Sequence, residues 1–389
     1  MDTLFIKNER QQALVDKAIH LGALAKNRVK EAEQFAQLPQ DTVKDLKESN
    51  YLSLTLPKEL GGEGLSLYEF LLMQEKLATG DGATALSVGW HLGIVKELSE
   101  DRIWEDSILN WFTKKVKTDQ VLVNRIASEK ATGSPTRGGV PKTKAVKDGN
   151  DYLITGEKTF STMASVLDYY IVSAFVEDKD TVGSFLIHRD EPGIHVNKTW
   201  DTMSMRGTGS DDLVFENVRV DSSMLVELNK QANPKKAKGW LLHIPACYLG
   251  IAIAARNDAI EFAKNFQPNS LNTPISEVAH IQDKIGEMDV KLMSARHFMY
   301  RIAELWDETP EQERQNLSAE LATVKMVATN TANDVVDLAM RIVGGRGLSK
   351  QMPFEQYYRD IRAGLHNPPM DDAVIQLLAK RALTHSSQK

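Results

Sequence analysis

Short β-branched and aromatic runs, confined to residues 121–220 of a chain that otherwise reads as helix, constrain this sequence more than any other feature. VLVNRIA, DYLITG, YYIVSAFV, VGSFLIH and DLVFENVRV have the length and residue types of strands, and KDGN and EDKDTVG between them are turn-prone. Helical patterns lie on both sides. A small β-rich unit inside a helical protein implies a platform held between helical regions, with a ligand at the seam.

The flanks fill in the organisation. Across residues 7–36, Leu14, Ala18, Leu21 and Ala25 fall on one helical face, and a short helix is expected over 41–49. LTLPKELGGEGLSLYE reads as an exposed loop, followed by helices over Leu67–Leu77 and Ala83–Leu98. The second, ATALSVGWHLGIVKEL, is apolar nearly all round, which suits a helix buried between neighbours or lining a cavity. Asp101–Thr118 completes the first helical region. Beyond the strands, LNKQANPKKAKGW reads as a solvated connector, and helices are expected near 240–265, 277–307, 311–342 and 370–383. The expected domains are an N-terminal helical domain over 1–120, a β domain over 121–228 and a helical bundle over 229–389.

A chain of 389 residues is too long for one ordinary core. Its formal charge of -6 argues against a dedicated nucleic-acid binder. The lone cysteine, Cys247, sits in the apolar run IPACYLGIAIAA and reads as a buried core thiol. That usage fits a reducing, cytoplasmic compartment. MDTLFIKNER lacks the basic and apolar regions of a signal peptide, and the run Trp240–Ala255, which contains His243 and Pro245, falls short of a membrane span. There is no zinc-like cysteine pattern, no Walker A and no GxGxxG.

Four ordered segments carry a resemblance. They are YLSLTLPKELGGEGLSLYE, DYLITGEKTFSTMASVLDYYIVSA, MSMRGTGSDDLVFENVRV and IVGGRGLSKQMPFEQYYRDIR. With them the chain resembles the acyl-CoA dehydrogenase superfamily over nearly its whole length. The resemblance implies an α+β fold with an N-terminal helical domain, a central β-barrel-like domain and a C-terminal four-helix bundle. It also implies non-covalent FAD between the β domain and the bundle, an acyl-CoA substrate, and a homodimer or homotetramer in which the flavin reaches a neighbouring subunit.

The same resemblance implies roles for single residues. Ser134, in ASEKATGSPTRGG, contacts flavin and ligand, although Pro135 stands where the family usually has Asp. Phe160 packs on the flavin ring and Thr162 hydrogen-bonds to it. Arg206, in RGTGS, borders the substrate. Gly344 and Gly345 interrupt a long helix, at about 1 kcal/mol each relative to alanine, and meet the neighbouring subunit's FAD. Gln282 matches a family glutamine, whereas FQPNSLNTPIS replaces the arginine element that precedes it, from which weaker FAD binding is expected.

The base departs from the pattern. Removal of an α proton suits a desolvated carboxylate. The family's two base positions correspond here to Pro368 and to Trp240, which is assigned instead to substrate contact. Asp371 and Asp372 are out of phase. LHNPP resembles the family's flavin monooxygenase branch and puts forward His366, and SVGWHLG puts forward His91, as catalytic histidines. The expected activity is FAD-dependent oxidation of the Cα–Cβ bond of an acyl-CoA. The alternative is a reduced-flavin-dependent monooxygenase acting on a small aromatic or heteroatom substrate. An electron-transfer protein or a flavin reductase is the implied partner.

Overall fold

The computed structural model describes residues 3–132, 139–228 and 236–385. The first helices are α1 (Glu9–Lys26), α2 (Val29–Phe35), α3 (Gln40–Glu48), α4 (Leu67–Ala78), α5 (Gly82–Asp101) and α6 (Asp106–Thr118). The strands follow as β1 (Val123–Ile126), β2 (Lys144–Asp148), β3 (Asp151–Lys158), β4 (Tyr169–Val176), β5 (Thr181–His188), β6 (Ile194–Asn197), β7 (Asp212–Asp221) and β8 (Leu225–Leu228). The chain continues through α7 (His243–Asn265), α8 (Ala279–Glu308), α9 (Ser318–Val343), α10 (Phe354–Arg362) and α11 (Asp371–His385).

Helix starts are set by side chains that satisfy free N–H groups. Ser66 and Glu69 form a reciprocal capping box on α4, and the Asp81 carboxylate accepts from the N–H groups of Ala83 and Thr84 to start α5. Every residue of α4 is buried, and α5 is buried from Gly82 to Ser99 apart from Trp90. Helix α5 is the all-round apolar helix expected from the sequence, enclosed between α4, α7 and β1.

Small residues let these helices approach closely. A Cβ on Gly250 of α7 would lie 2.4 Å from the Glu75 carbonyl oxygen and 2.6 Å from the Ala78 Cβ of α4. Polar ties join α4 to α8 as well. The Arg296 guanidinium of α8 grips the Glu75 carboxylate of α4 at 2.9 and 2.7 Å, with both side chains out of solvent. Asp307 of α8 accepts the N–H groups of Leu67 and Tyr68 at the start of α4, at 2.8 and 2.9 Å. First and last helical regions therefore share one core. The stretch Gly239–Asn265 is long and apolar enough to cross a membrane, but 89% of its most apolar window is buried inside the protein.

The strands form one sheet in the order β6-β7-β3-β2-β4-β5-β8, with β1 added parallel to β4. The barrel-like closure expected above is not present. Closure would require β6 and β8, the two ends of the order, to exchange ladder bonds. Each is four residues long and pairs on one side, β6 with β7 and β8 with β5. The middle of the sheet is also divided. Strand β4 gives its first half, Tyr169–Val172, to β1 and its last two residues to β2. The platform is an open sheet.

Candidate functional site

Strand β3 ends in Lys158, and the chain then makes a tight, unusual turn. Phe160 and Met163 both have left-handed backbones, with φ of 55° and 66°. Such conformations cost energy in residues other than glycine and persist where the surroundings enforce them. Here the turn is tied to the segment before β7. The N–H of Ser161 donates to the Asp211 carbonyl at 3.2 Å and that of Met163 to the Thr208 carbonyl at 2.9 Å. The result holds the Phe160 ring out of the core, 65% exposed, edge-on to Trp200 at 5.7 Å. Beside it the hydroxyls of Thr162, Ser210 and Thr208 form a line, 3.0 Å and then 2.8 Å apart.

The strand before the turn carries a buried ion pair that sequence reasoning missed. Lys158 Nζ donates to Glu129 Oε1 at 2.7 Å, and both side chains are essentially excluded from water. Glu129 also accepts the Thr143 hydroxyl and the N–H groups of Lys142 and Thr143. Burial pushes this carboxyl up, but Lys158 and the hydrogen bonds of Thr143 and Lys142 hold it below the usual carboxylate range. The pair anchors the segment leading to Gly133 and Ser134, which themselves lie outside the described residues. Alternation along DYLITGEK places Tyr152, Ile154 and Lys158 on one inward face. That was the available signal: an inward lysine requires a carboxylate.

Across from the turn, α10 clasps the sheet's long connection. Asp360 is buried and accepts the Met205 N–H at 2.6 Å and the Gln356 amide at 3.2 Å. Burial pushes its carboxyl up to about 7. Arg206 is fixed by Asp201 and by the Glu33 and Thr202 carbonyls. Arg359 reaches Glu33, Glu355 and the Met203 carbonyl. Arg206, Arg359 and Asp360 border a cavity of about 860 Å³ between α2, the start of α5 and α10.

The two histidines part company. His91 is fully buried; its Nδ1 accepts the Val123 N–H at 3.1 Å and its Nε2 donates to the Leu52 carbonyl at 2.9 Å. Burial pushes it down to about 4. The expectation of a catalytic His91 is therefore corrected: both nitrogens are engaged by backbone, and the ring pins α5 to β1. His366 is exposed, at the end of the 3-10 turn Ala363–His366 that continues α10. The next residue, Asn367, accepts the Tyr248 hydroxyl of α7 at 2.7 Å.

The remaining residues are dispersed. Trp240 is 7% exposed and stacks with His243 at the head of α7. Gln282 is exposed and donates to the Ser276 carbonyl. Gly344 and Gly345 are exposed, and a Cβ on either would meet nothing within 4 Å. Asp371 is engaged by Asn330 at 2.7 Å and faces Lys325 at 3.8 Å.

An uncovered aromatic face next to a line of hydroxyls is the apolar surface and hydrogen-bond set that an isoalloxazine requires. The residues present fit a flavin. Among the described residues, no group of three or more His, Cys, Asp or Glu could hold a metal ion.

Comparison with known proteins agrees with this arrangement. Models of the acyl-CoA dehydrogenase N-terminal, middle and C-terminal domains match residues 8–100, 125–218 and 242–365. The Bacillus subtilis (strain 168) protein YdbM, which carries an acyl-CoA dehydrogenase name, is 47% identical over 98% of this chain and 99% of its own length. Butyryl-CoA dehydrogenase from Megasphaera elsdenii superposes with a TM-score of 0.85 at 22% identity, over 97% of this chain and 99% of that one. Dibenzothiophene monooxygenase TdsC from Paenibacillus sp. A11-2 gives 0.84 at 20% identity, over 96% and 97%. These last two likenesses speak to fold alone. With three domain models matched in chain order and 47% of its aligned residues shared with a relative of the same extent, the chain belongs to the acyl-CoA dehydrogenase family and is a flavoprotein oxidoreductase.

Proposed function

We propose that the chain oxidises the Cα–Cβ bond of an acyl-CoA thioester, with FAD seated on the 160–162 turn and His366 as the base. The observation that carries this reading is the enforced turn, which exposes Phe160 beside the Thr162 and Ser210 hydroxyls. FAD, when bound, supplies the acceptor for the hydride that leaves Cβ. Phe160 would supply an apolar surface for the flavin ring, and Thr162 a hydroxyl to hydrogen-bond to it. Ser134 and Arg206 border the substrate, and Trp240 bounds the acyl group. The His366 imidazole takes the proton leaving Cα, work suited to histidine. Asn367, held by Tyr248, positions the segment that carries it.

In this reading Gly344, Gly345 and Gln282 meet the cofactor of a neighbouring subunit in a cytoplasmic homotetramer. The open space around both glycines supports it. Electrons then leave to a separate electron-transfer protein.

The test is flavin content followed by anaerobic addition of acyl-CoAs. The expected result is bleaching of the visible flavin band. Phe160→Ala is expected to weaken FAD binding about tenfold, and His366→Ala to slow bleaching by about 10²–10⁴-fold. Unchanged bleaching in the second variant removes His366 from the chemistry. A second reading, reduced-flavin-dependent oxygenation of a small aromatic substrate, draws on the absence of a carboxylate at Pro368 and Trp240. Oxygen uptake with supplied reduced flavin, and no bleaching by any acyl-CoA, would favour it.

A further inference from the structure

Helices α5 and α7 meet along a seam closed by rings. Gly93 and Gly89 of α5 are its notches. A Cβ on Gly93 would come 2.1 Å from the Trp240 ring, and one on Gly89 would come 2.3 Å from His243 Nδ1 and 2.6 Å from Gln74 Nε2. Trp90 stands edge-on to both rings, 5.8 Å from Trp240 and 4.9 Å from His243, and Trp240 lies nearly parallel to His243 at 5.9 Å.

The packing is tight, yet its polar atoms are not satisfied. His243 is fully buried, and neither of its ring nitrogens has a hydrogen-bond partner among the described residues. Trp240 Nε1 and Gln74 Oε1 are also without one. Core polar atoms are normally paired, and an unpaired set marks a place where a ligand or water completes the bonding. Burial pushes His243 down to about 3, so the neutral ring offers one donor and one acceptor. Trp240 belongs to the short turn Gly239–Leu242 ahead of α7. Its outer side borders a cavity of about 270 Å³ lined by Glu97, Asp101, Lys236 and Trp306, which gives the indole room to leave its notch.

We infer that Trp240 and His243 select the acyl group: Trp240 closes the seam to a long alkyl tail, and His243 with Gln74 forms a hydrogen-bonding floor, so the substrate class is a short acyl thioester ending in a hydroxyl or carbonyl. This rests on the reading above, in which Trp240 bounds the acyl group. A long alkyl tail would need the volume the indole fills and would leave the polar atoms unpaired. A short polar-ended group avoids the first cost and removes the second. Sites built to hydrogen-bond a group reject the analogue that lacks it.

The holoenzyme is tested with butyryl-CoA, 4-hydroxybutyryl-CoA and octanoyl-CoA, reading kcat/KM from flavin reduction. The wild type is expected to prefer the hydroxylated substrate over butyryl-CoA by about tenfold or more and to be reduced poorly by octanoyl-CoA. Trp240→Ala is expected to raise the octanoyl-to-butyryl ratio about tenfold. Gly93→Ala, which pushes the indole out from the opposite side, should move the ratio the same way. His243→Leu should collapse the hydroxyl preference. FAD content and circular dichroism report whether each variant is folded, and where a variant is not, the wild-type ratios decide alone. Equal wild-type use of octanoyl- and butyryl-CoA overturns the closure, as does an unchanged ratio in folded Trp240→Ala and Gly93→Ala. A His243→Leu protein that is more thermostable and equally selective overturns the floor and leaves an internal water site. If no acyl-CoA perturbs the flavin of either wild type or Trp240→Ala, the acyl-CoA reading itself fails and this one falls with it.

Discussion

Lys158 sits inside the sheet with its ammonium 2.7 Å from Glu129, and a further bond reaches the Ser173 hydroxyl. The pair joins the end of β3 to Glu129, so in the proposed function it braces the turn that would seat the flavin. Lys158→Met leaves Glu129 as a buried, unmatched anion. The expected cost is about 3–5 kcal/mol, read as a lower urea midpoint, together with reduced FAD content. Adding Glu129→Leu should restore much of the stability and none of the cofactor affinity. This residue was legible in the period-two alternation of DYLITGEK, whereas its partner was not, because sequence spacing says nothing about which acid folds over it. His91 shows the opposite failure. A histidine on an apolar helix presents the same pattern whether it faces a substrate or two backbone groups, and here it faces backbone.

At the scale of elements, long periodic helices were the easiest to read, and short polar pieces were lost. Strand β2 has one buried residue, Ala145, and its other four, Lys144, Val146, Lys147 and Asp148, are exposed, so it carries no polar–apolar alternation to detect although it lies mid-sheet. Strands β6 and β8 are four-residue edges, and α10 is nine residues of largely polar sequence whose buried face is Phe354, Asp360 and Ile361. The open sheet follows from these same short edges, which a family likeness did not reveal. The α4–α7 contact depends on Gly250, since a methyl group there would lie 2.4 Å from the Glu75 carbonyl oxygen. Gly250→Ala is expected to cost about 1–3 kcal/mol through overpacking, measured as a lower melting temperature.

Across the whole molecule, Asp360 is the clasp between helical bundle and sheet. Its folded pKa is raised to about 7 by burial, with Glu33 and Asp81 adding to the shift. The unfolded carboxyl ionises near 3.8, its ordinary value. Its contribution is therefore fully present below about pH 4 and is lost as pH rises toward about 7, at roughly 1.4 kcal/mol per unit. Asp360→Asn keeps an acceptor for the Met205 N–H and removes the titration. Denaturation at pH 5 and pH 8 should show the wild type losing stability relative to the variant as pH rises. A parallel pair of curves would mean that the carboxyl does not titrate in that window.

The grip of Arg296 on Glu75 also bears on how the protein is made. The two residues are 221 positions apart, and Asp307, which holds the first turn of α4, comes later still. While the ribosome is extending the chain, α4 has its own Ser66–Glu69 capping box but neither the counter-ion for Glu75 nor the Asp307 carboxylate that takes the Leu67 and Tyr68 N–H groups. Its acid must stay wet until α8 emerges, so the first helical region cannot close around it during synthesis of the strands. The N-terminal third waits for the C-terminal third, and the newborn protein passes through a long interval in which helper proteins that shield apolar surface have something to hold.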